Sequence, residues 1–182
     1  VGIKMAKSKD KFSDKLGMAY IIFIISVPSL AYIFIFRYIC ANLFGLPTSF
    51  ATKGAQEFTS WILPTVSLAL PSIASLMLWM RRYMVDQMNS DYVKFAKAKG
   101  LSQSEIFNKH IFRNAVIPIA QGIPTNLAAC ITGAIITESV YAVPGMGKML
   151  PDAIKSYNNS MVIALAFIFT FISVFAVFLG DV

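Results

Sequence analysis

Four stretches of this chain, at about residues 16–36, 61–80, 115–137 and 160–179, stay apolar long enough to cross a lipid bilayer. A spanning helix takes roughly 20 apolar residues at about 1.5 Å of rise each. In hydrocarbon every backbone N–H and C=O must find its partner inside the protein, and a helix achieves this within one segment. Composition supports lipid as the solvent: 57% of the 182 residues are hydrophobic and 14% charged, against about a quarter charged in soluble domains. The first and fourth runs are nearly unbroken Ile, Phe, Val, Leu and Ala and are expected to face lipid. The second and third carry Pro64, Pro71, Pro118 and Pro124 with scattered Ser, Thr, Gln and Asn. Such residues require neighbouring helices or a water-filled path to satisfy the freed backbone groups. The expected fold is all-α, a polytopic transmembrane helix bundle.

The net charge of +7 is distributed by side. Lys4, Lys7, Lys9, Lys11 and Lys15 precede the first run, and Arg81, Arg82, Lys94, Lys97, Lys99, Lys109 and Arg113 lie between the second and third. The opposite side holds Arg37, Lys53, Lys148 and Lys155. Cations concentrate on the cytoplasmic side, so residues 1–15 read as a cytoplasmic loop and 37–60 and 138–159 as outer loops. Basic charge is then a topology signal before it is a nucleic-acid signal, and no nucleic-acid partner is expected. Cys40 and Cys130 fall at the outer end of one run and in the middle of another, which predicts no disulfide and no metal site. The first apolar run is too long for a signal peptide and lacks a small-residue cleavage site; both chain ends read as truncations.

Residues 81–114 form the one long polar region. Met84, Val85, Met88, Tyr92 and Phe95 recur at helical spacing, which predicts a helix ending at Gly100 with Lys97 and Lys99 in its last turn. Ser102-Gln103-Ser104-Glu105 reads as a capping box opening a second helix, whose apolar face continues through Ile106, Phe107, His110 and Ile111 towards Pro118. A helix, a corner at Gly100-Leu101-Ser102 and a second helix suit three uses: contact with lipid headgroups, a cap on the bundle, or a shape gripped by a partner.

Other signals carry less. Gly145-Met146-Gly147-Lys148 lacks the first Gly, the Ser or Thr and the preceding strand of a phosphate loop. His110 is the single histidine, so no multi-histidine metal site can form. Glu138, at the end of the third run, is an intramembrane acid and so a path candidate, with an interfacial structural role favoured by its position. Gln121, Asn126, Thr132 and Thr137 recur along that run and either line a polar path or hydrogen-bond between helices.

The segment Asp91-Tyr92-Val93-Lys94-Phe95-Ala96-Lys97-Ala98-Lys99-Gly100-Leu101-Ser102, with His110-Ile111-Phe112-Arg113-Asn114-Ala115-Val116-Ile117-Pro118, resembles the EAA loop of ABC importer permeases. The resemblance is to the first permease of the oligopeptide, dipeptide and nickel branch. Ile62-Leu63-Pro64 with Leu68-Ala69-Leu70-Pro71 resembles that family's helix before the loop, and Glu138-Ser139-Val140-Tyr141 with Pro144-Gly145-Met146-Gly147 its outer turn. Aligned on Gly100, the general motif's Glu-Ala-Ala positions hold Lys94, Phe95 and Ala96, so an ion pair from that Glu is not implied. The resemblance implies a type I ABC importer permease fold, with residues 16–182 a partial ABC transmembrane type 1 domain and 81–114 its cytoplasmic coupling loop. It also implies further chain before Val1 with at least one more span, and a short tail after Val182.

By that resemblance Tyr92, Lys94, Ala96, Lys97, Ala98, Lys99, Gly100 and Leu101 would couple to a separate ATPase, with Ala96 and Ala98 allowing close approach. The implied partners are a second homologous permease, cytoplasmic ATP-binding subunits, an extracellular substrate-binding protein and membrane lipid. ATP would be bound by a partner, with no cofactor in this chain. The implied place is the bacterial cell membrane and the implied cargo a peptide, with nickel as the alternative. An ion channel or a membrane-embedded enzyme remains a different class of reading. The sequence shows neither a filter or charged ring nor a clustered acid–base set.

Overall fold

The computed structural model describes residues 1–52, 54 and 56–181. Lys53, one of the four outer-side cations of the charge reading, lies outside the described residues. Among the described residues the regular structure is helical throughout. In chain order the helices are α1 (Gly2–Lys7), α2 (Phe12–Ser26), α3 (Ser29–Phe44), α4 (Glu57–Ser60), α5 (Ile62–Met88), α6 (Asp91–Ala98) and α7 (Gln103–Glu105). A π-helical segment (Ile106–Ile111) follows, then α8 (Phe112–Gln121), α9 (Ile123–Thr132), α10 (Ile135–Tyr141), α11 (Met146–Lys155) and α12 (Asn159–Asp181). The helical stretches Glu57–Met88, Gln103–Tyr141 and Asn159–Asp181 are long and apolar enough to cross a membrane, and α2 with α3 supplies a fourth if counted as one broken span.

The structure corrects several expected boundaries. Residues 1–15 are not a plain loop: α1 buries Met5 and Ala6, and α2 begins at Phe12. The lysines masked a short apolar face formed by Ile3, Met5 and Ala6. The first run is two helices, because Pro28 supplies no N–H and restricts Val27 before it; α3 then continues to Phe44 and stops at Gly45 in the left-handed conformation, φ 62°. The second run continues to Met88. The third is broken at Gly122 and again at Gly133–Ala134. The expected outer loop 37–60 is partly α3 and α4, and 138–159 contains the end of α10 and all of α11. Cys40 is buried and Cys130 exposed, and both are free.

The chain divides into two compact units. The first comprises Val1–Ser26 and Ser72–Gly122; the second comprises Val27–Pro71 and the chain from Ile123 onward. The twelve cations of the cytoplasmic set all belong to the first unit. Its core is Ala6, Met80, Met84, Val93, Ala96, Ile106, Ile111 and Ala115, contributed by α1, α5, α6, the π segment and α8. Gly2 lets α1 approach α5 closely: a Cβ there would sit 3.0 Å from the Met77 carbonyl oxygen. Lys7 of α1 lies 4.1 Å over the Phe107 ring.

The same unit holds an ion pair that the sequence reading missed. Arg81 donates from Nε and one Nη to the two carboxylate oxygens of Asp14, each at 2.6 Å. Asp14 is 2% exposed and also accepts from the Asp10 amide at 3.0 Å. This two-point clamp joins α2 to α5. A fork-to-carboxylate geometry is the strongest form of such a contact.

The second unit packs α12 along α9 and gathers Tyr32, Ile33, Cys40, Leu63 and Tyr141 into a core. Pro71, inside α5, leaves the Ser67 carbonyl without its helical donor. Tyr32 supplies one, its hydroxyl donating to that oxygen at 3.2 Å. The Ser67 hydroxyl meets the Tyr141 hydroxyl at 2.8 Å. A neighbouring helix thus satisfies the break, as the proline content required. Most of α12 is open, with Ile163, Phe167, Phe171 and Val174 each more than half exposed, in keeping with a lipid-facing fourth run. In the third run Ala115, Ala128 and Thr137 are buried, while Ile123, Leu127 and Ile131 of α9 lie open.

Removing one member of the clamp leaves the other charge unpaired at a cost of about 3 kcal/mol. Asp14→Ala should therefore lower the melting temperature and yield of the purified protein in detergent, followed by fluorescence-detected size exclusion. Replacing both partners, Asp14→Leu with Arg81→Met, should recover much of the loss.

Candidate functional site

The polar region folds as the corner the sequence suggested, with a break placed earlier. Helix α5 ends at Met88, and the Asn89 and Ser90 amides donate to Asp86 and Gln87 carbonyls, each at 3.2 Å. Ser90, in extended conformation, starts α6. The Tyr92 hydroxyl donates to Gln87 Oε1 at 2.7 Å and straps α6 to the end of α5.

At its far end α6 closes on Gly100, φ 78°. The Gly100 amide donates to Lys97 O at 3.0 Å and the Leu101 amide to Ala96 O at 3.2 Å. This pair of bonds is the Schellman arrangement, in which a left-handed glycine returns the last carbonyls to donors. Ser102 then opens α7 with the expected capping box: its Oγ accepts from the Glu105 amide at 3.3 Å, and the Glu105 carboxylate accepts from the Ser102 amide at 3.3 Å and hydroxyl at 2.9 Å.

Because the chain restarts at Ser90, the buried side of α6 is Val93 and Ala96, and Phe95 leaves the expected stripe to stand 69% exposed. Ala96 packs into the unit's own core, so its small size serves internal packing instead of approach by a partner. Lys94, Lys97, Ala98, Lys99, Gly100 and Leu101 are exposed; Tyr92 is half-buried. The Lys94–Asp91 pair at 2.7 Å is fully on the surface and contributes little.

The second helix of the corner differs from expectation in its π turn. Ile106 and Ile111 are both buried at a spacing of five. An i→i+5 turn brings such residues to one side, where a regular helix would separate them. His110 consequently faces outward and is not part of the apolar face.

The path candidates scatter. Gln121 ends α8 in the first unit; Asn126, Thr132 and Glu138 belong to the second. Gln121 and Asn126 are exposed, whereas the Thr132 hydroxyl donates to Ala129 O of its own helix at 3.3 Å. Glu138 is 9% exposed and accepts from the Ala134 amide at 3.0 Å and the Lys148 amide at 2.8 Å. Its carboxylate thereby caps the N-termini of both α10 and α11. Gly133, Gly145 and Gly147 surround it closely, and a Cβ on Gly133 or Gly145 would collide with the carboxylate. The two motifs 138–141 and 144–147, separate in sequence, form one clasp. The other end of α10 is held too: Arg37 donates to Val140 O at 2.9 Å and the Phe50 amide to Tyr141 O at 2.7 Å.

These features define a multi-pass α-helical membrane protein. Residues 1–182 match the family described as binding-protein-dependent transport system inner membrane component. The chain belongs to that family, has its type I ABC permease fold, and is a multi-pass inner-membrane component. It is 46% identical over 182 residues to the oligopeptide transport system permease protein AmiC of Streptococcus pneumoniae, covering all of this chain and 36% of that one. It is 31% identical over 183 residues to the dipeptide transport system permease protein DppB of Bacillus subtilis, and 30% to that of Lactococcus lactis, covering 58% and 59% of those chains. The chain thus spans about a third to three-fifths of the length of these relatives.

Two glycine substitutions should separate dihedral strain from collision. Gly100→Ala meets no atom within 4 Å and costs only the left-handed conformation, about 1 kcal/mol. Gly145→Ala, in an extended conformation, drives its Cβ into the Glu138 carboxylate and should be markedly worse. Glu138→Ala removes the acceptor of the amides at two helix starts, at a cost of about 3 kcal/mol. Thermal melting of the three variants should rank Gly100→Ala as the mildest.

Proposed function

We propose that the chain is part of the permease subunit of an ATP-driven importer of oligopeptides or dipeptides, and that residues 92–101, the tip of the 81–114 loop, couple it to a separate cytoplasmic ATP-binding subunit. One observation carries the reading: a rigid corner that buries Val93 and Ala96 in its own core while leaving Phe95, Lys97, Ala98, Lys99 and Leu101 open. An exposed Phe on a stiff, cationic element suits insertion into an apolar, acid-rimmed groove. In this reading Phe95 and Leu101 are the anchors, Lys94, Lys97 and Lys99 reach acidic or carbonyl groups, Gly100 sets the angle and Tyr92 braces the base. Phe95 replaces Ala96 as the contact residue.

ATP closure of the partner subunits would push on this corner and switch the permease between inward-open and outward-open states. The chain itself performs no covalent chemistry and holds no cofactor; ATP hydrolysis is the partner's. A second homologous permease covers the open faces of the span helices, and an extracellular binding protein delivers the cargo. Gln121 and Asn126, both exposed, are assigned to the path. Thr132 and Glu138 spend their polar groups on backbone and are assigned structural roles. The relatives named above are oligopeptide and dipeptide permeases, which favours peptide over nickel as cargo.

In the intact transporter, Phe95→Asp and Gly100→Trp should lose the ATP-binding subunits on purification and abolish uptake of labelled short peptides, while the paired permeases remain assembled. Wild-type association and uptake in both variants would overturn the coupling assignment. Uptake of nickel in preference to peptide would overturn the cargo.

A further inference from the structure

Outside the corner's tip, the structure carries an open concavity of about 520 Å³ lined by Asn108, Lys109, His110, Arg113 and Asn114. All five residues are exposed, and no carboxylate lines the hollow. The π turn at Ile106–Ile111 turns this polar strip outward by drawing Ile106 and Ile111 to the opposite side. Lys109 makes a loose pair with Glu105 at 3.5 Å, on the surface and readily exchanged. The concavity therefore offers two cations, an imidazole and two amides, which is a donor set for a phosphate.

Depth decides which phosphate. The apolar run begins at Ala115, with Arg113 two residues and Lys109 six residues before it. At 1.5 Å per residue they sit about 3 and 9 Å from the hydrocarbon edge, within or at the rim of a headgroup layer about 5–8 Å thick. The start of α7 at Gln103 lies about 18 Å out along the same measure, beyond that layer. We propose that the Asn108–Asn114 concavity is a binding site for the phosphate of an anionic phospholipid of the inner leaflet, separate from the surface gripped by the ATP-binding subunit. The proposal rests on the cytoplasmic placement of residues 81–114.

The test uses the intact transporter in detergent, titrated with phosphatidylglycerol or phosphatidylcholine and read by native mass spectrometry. Wild type should retain phosphatidylglycerol in preference to phosphatidylcholine. Lys109→Gln with Arg113→Gln should weaken that retention about twenty-fivefold, at about fivefold per cation, with the ATP-binding subunits still bound. Lys109→Arg with Arg113→Lys should restore it. Lys148→Gln with Lys155→Gln, the same charge removed from the other set of loops, should leave it unchanged. Undiminished phosphatidylglycerol binding in the Gln pair overturns the site. Displacement of the lipid by millimolar inorganic phosphate reassigns the concavity to a soluble anion and overturns the lipid proposal. Loss of the ATP-binding subunits from the Gln pair, with lipid retained, reassigns it to the protein partner. Failure of Phe95→Asp or Gly100→Trp to release those subunits bears on coupling alone, so the two readings fail separately.

Discussion

A helix interruption within an apolar run must return its freed backbone groups to a partner within the protein, and that requirement organises the fold. Bilayer interior supplies no water to do so. At Pro71 the partner is the Tyr32 hydroxyl on the Ser67 carbonyl. At Gly133–Ala134 it is the Glu138 carboxylate, which takes the Ala134 amide and reaches on to Lys148. At Gly100, outside the apolar runs, the chain closes on itself through the Leu101 amide and the Ala96 carbonyl. Each solution is chemically different, and each places a side chain or a turn that a continuous helix could not.

One of these solutions lies where the family's work is proposed to be done. The Gly100 closure makes the corner stiff, because the last carbonyls of α6 and the first amides of α7 are both satisfied locally. Beneath it, Val93 and Ala96 pack with Met84, Ile106, Ile111 and Ala115, so in the proposed coupling a push on the tip would be carried into α5 and α8. The Asp14–Arg81 clamp ties the same α5 to α2. A lever of this kind needs a buried base and an exposed tip, and the residues divide accordingly.

The Glu138 clasp shows why an intramembrane acid is an ambiguous sign. A carboxylate near a span has two inexpensive fates, facing water or accepting backbone amides. Three glycines around Glu138 admit the second, and the acid then knits α10 to α11. The glycines at 145 and 147 pointed to a turn in the sequence; that they also make room for a carboxylate ten residues from Lys148 was visible only in three dimensions.

Much of the corner was legible from residues alone, because capping boxes, left-handed glycines and apolar periodicity are local chemistry: Ser102, Glu105 and Gly100 act within a few bonds of where they stand. The four apolar runs were legible for the same reason, since hydropathy is a property of each segment. What the sequence could not determine was where runs break and which side a residue takes after the break. Phe95 and Ala96 exchanged their expected roles through a two-residue interruption at Asn89–Ser90, and His110 left the apolar face through one π turn. Asp14 with Arg81, Tyr32 with Ser67 and Glu138 with Lys148 are separated by tens of residues or by a turn of unknown shape. Tertiary structure alone decided those pairings, because a polar group buried near lipid takes whichever partner the packing brings within about 3 Å.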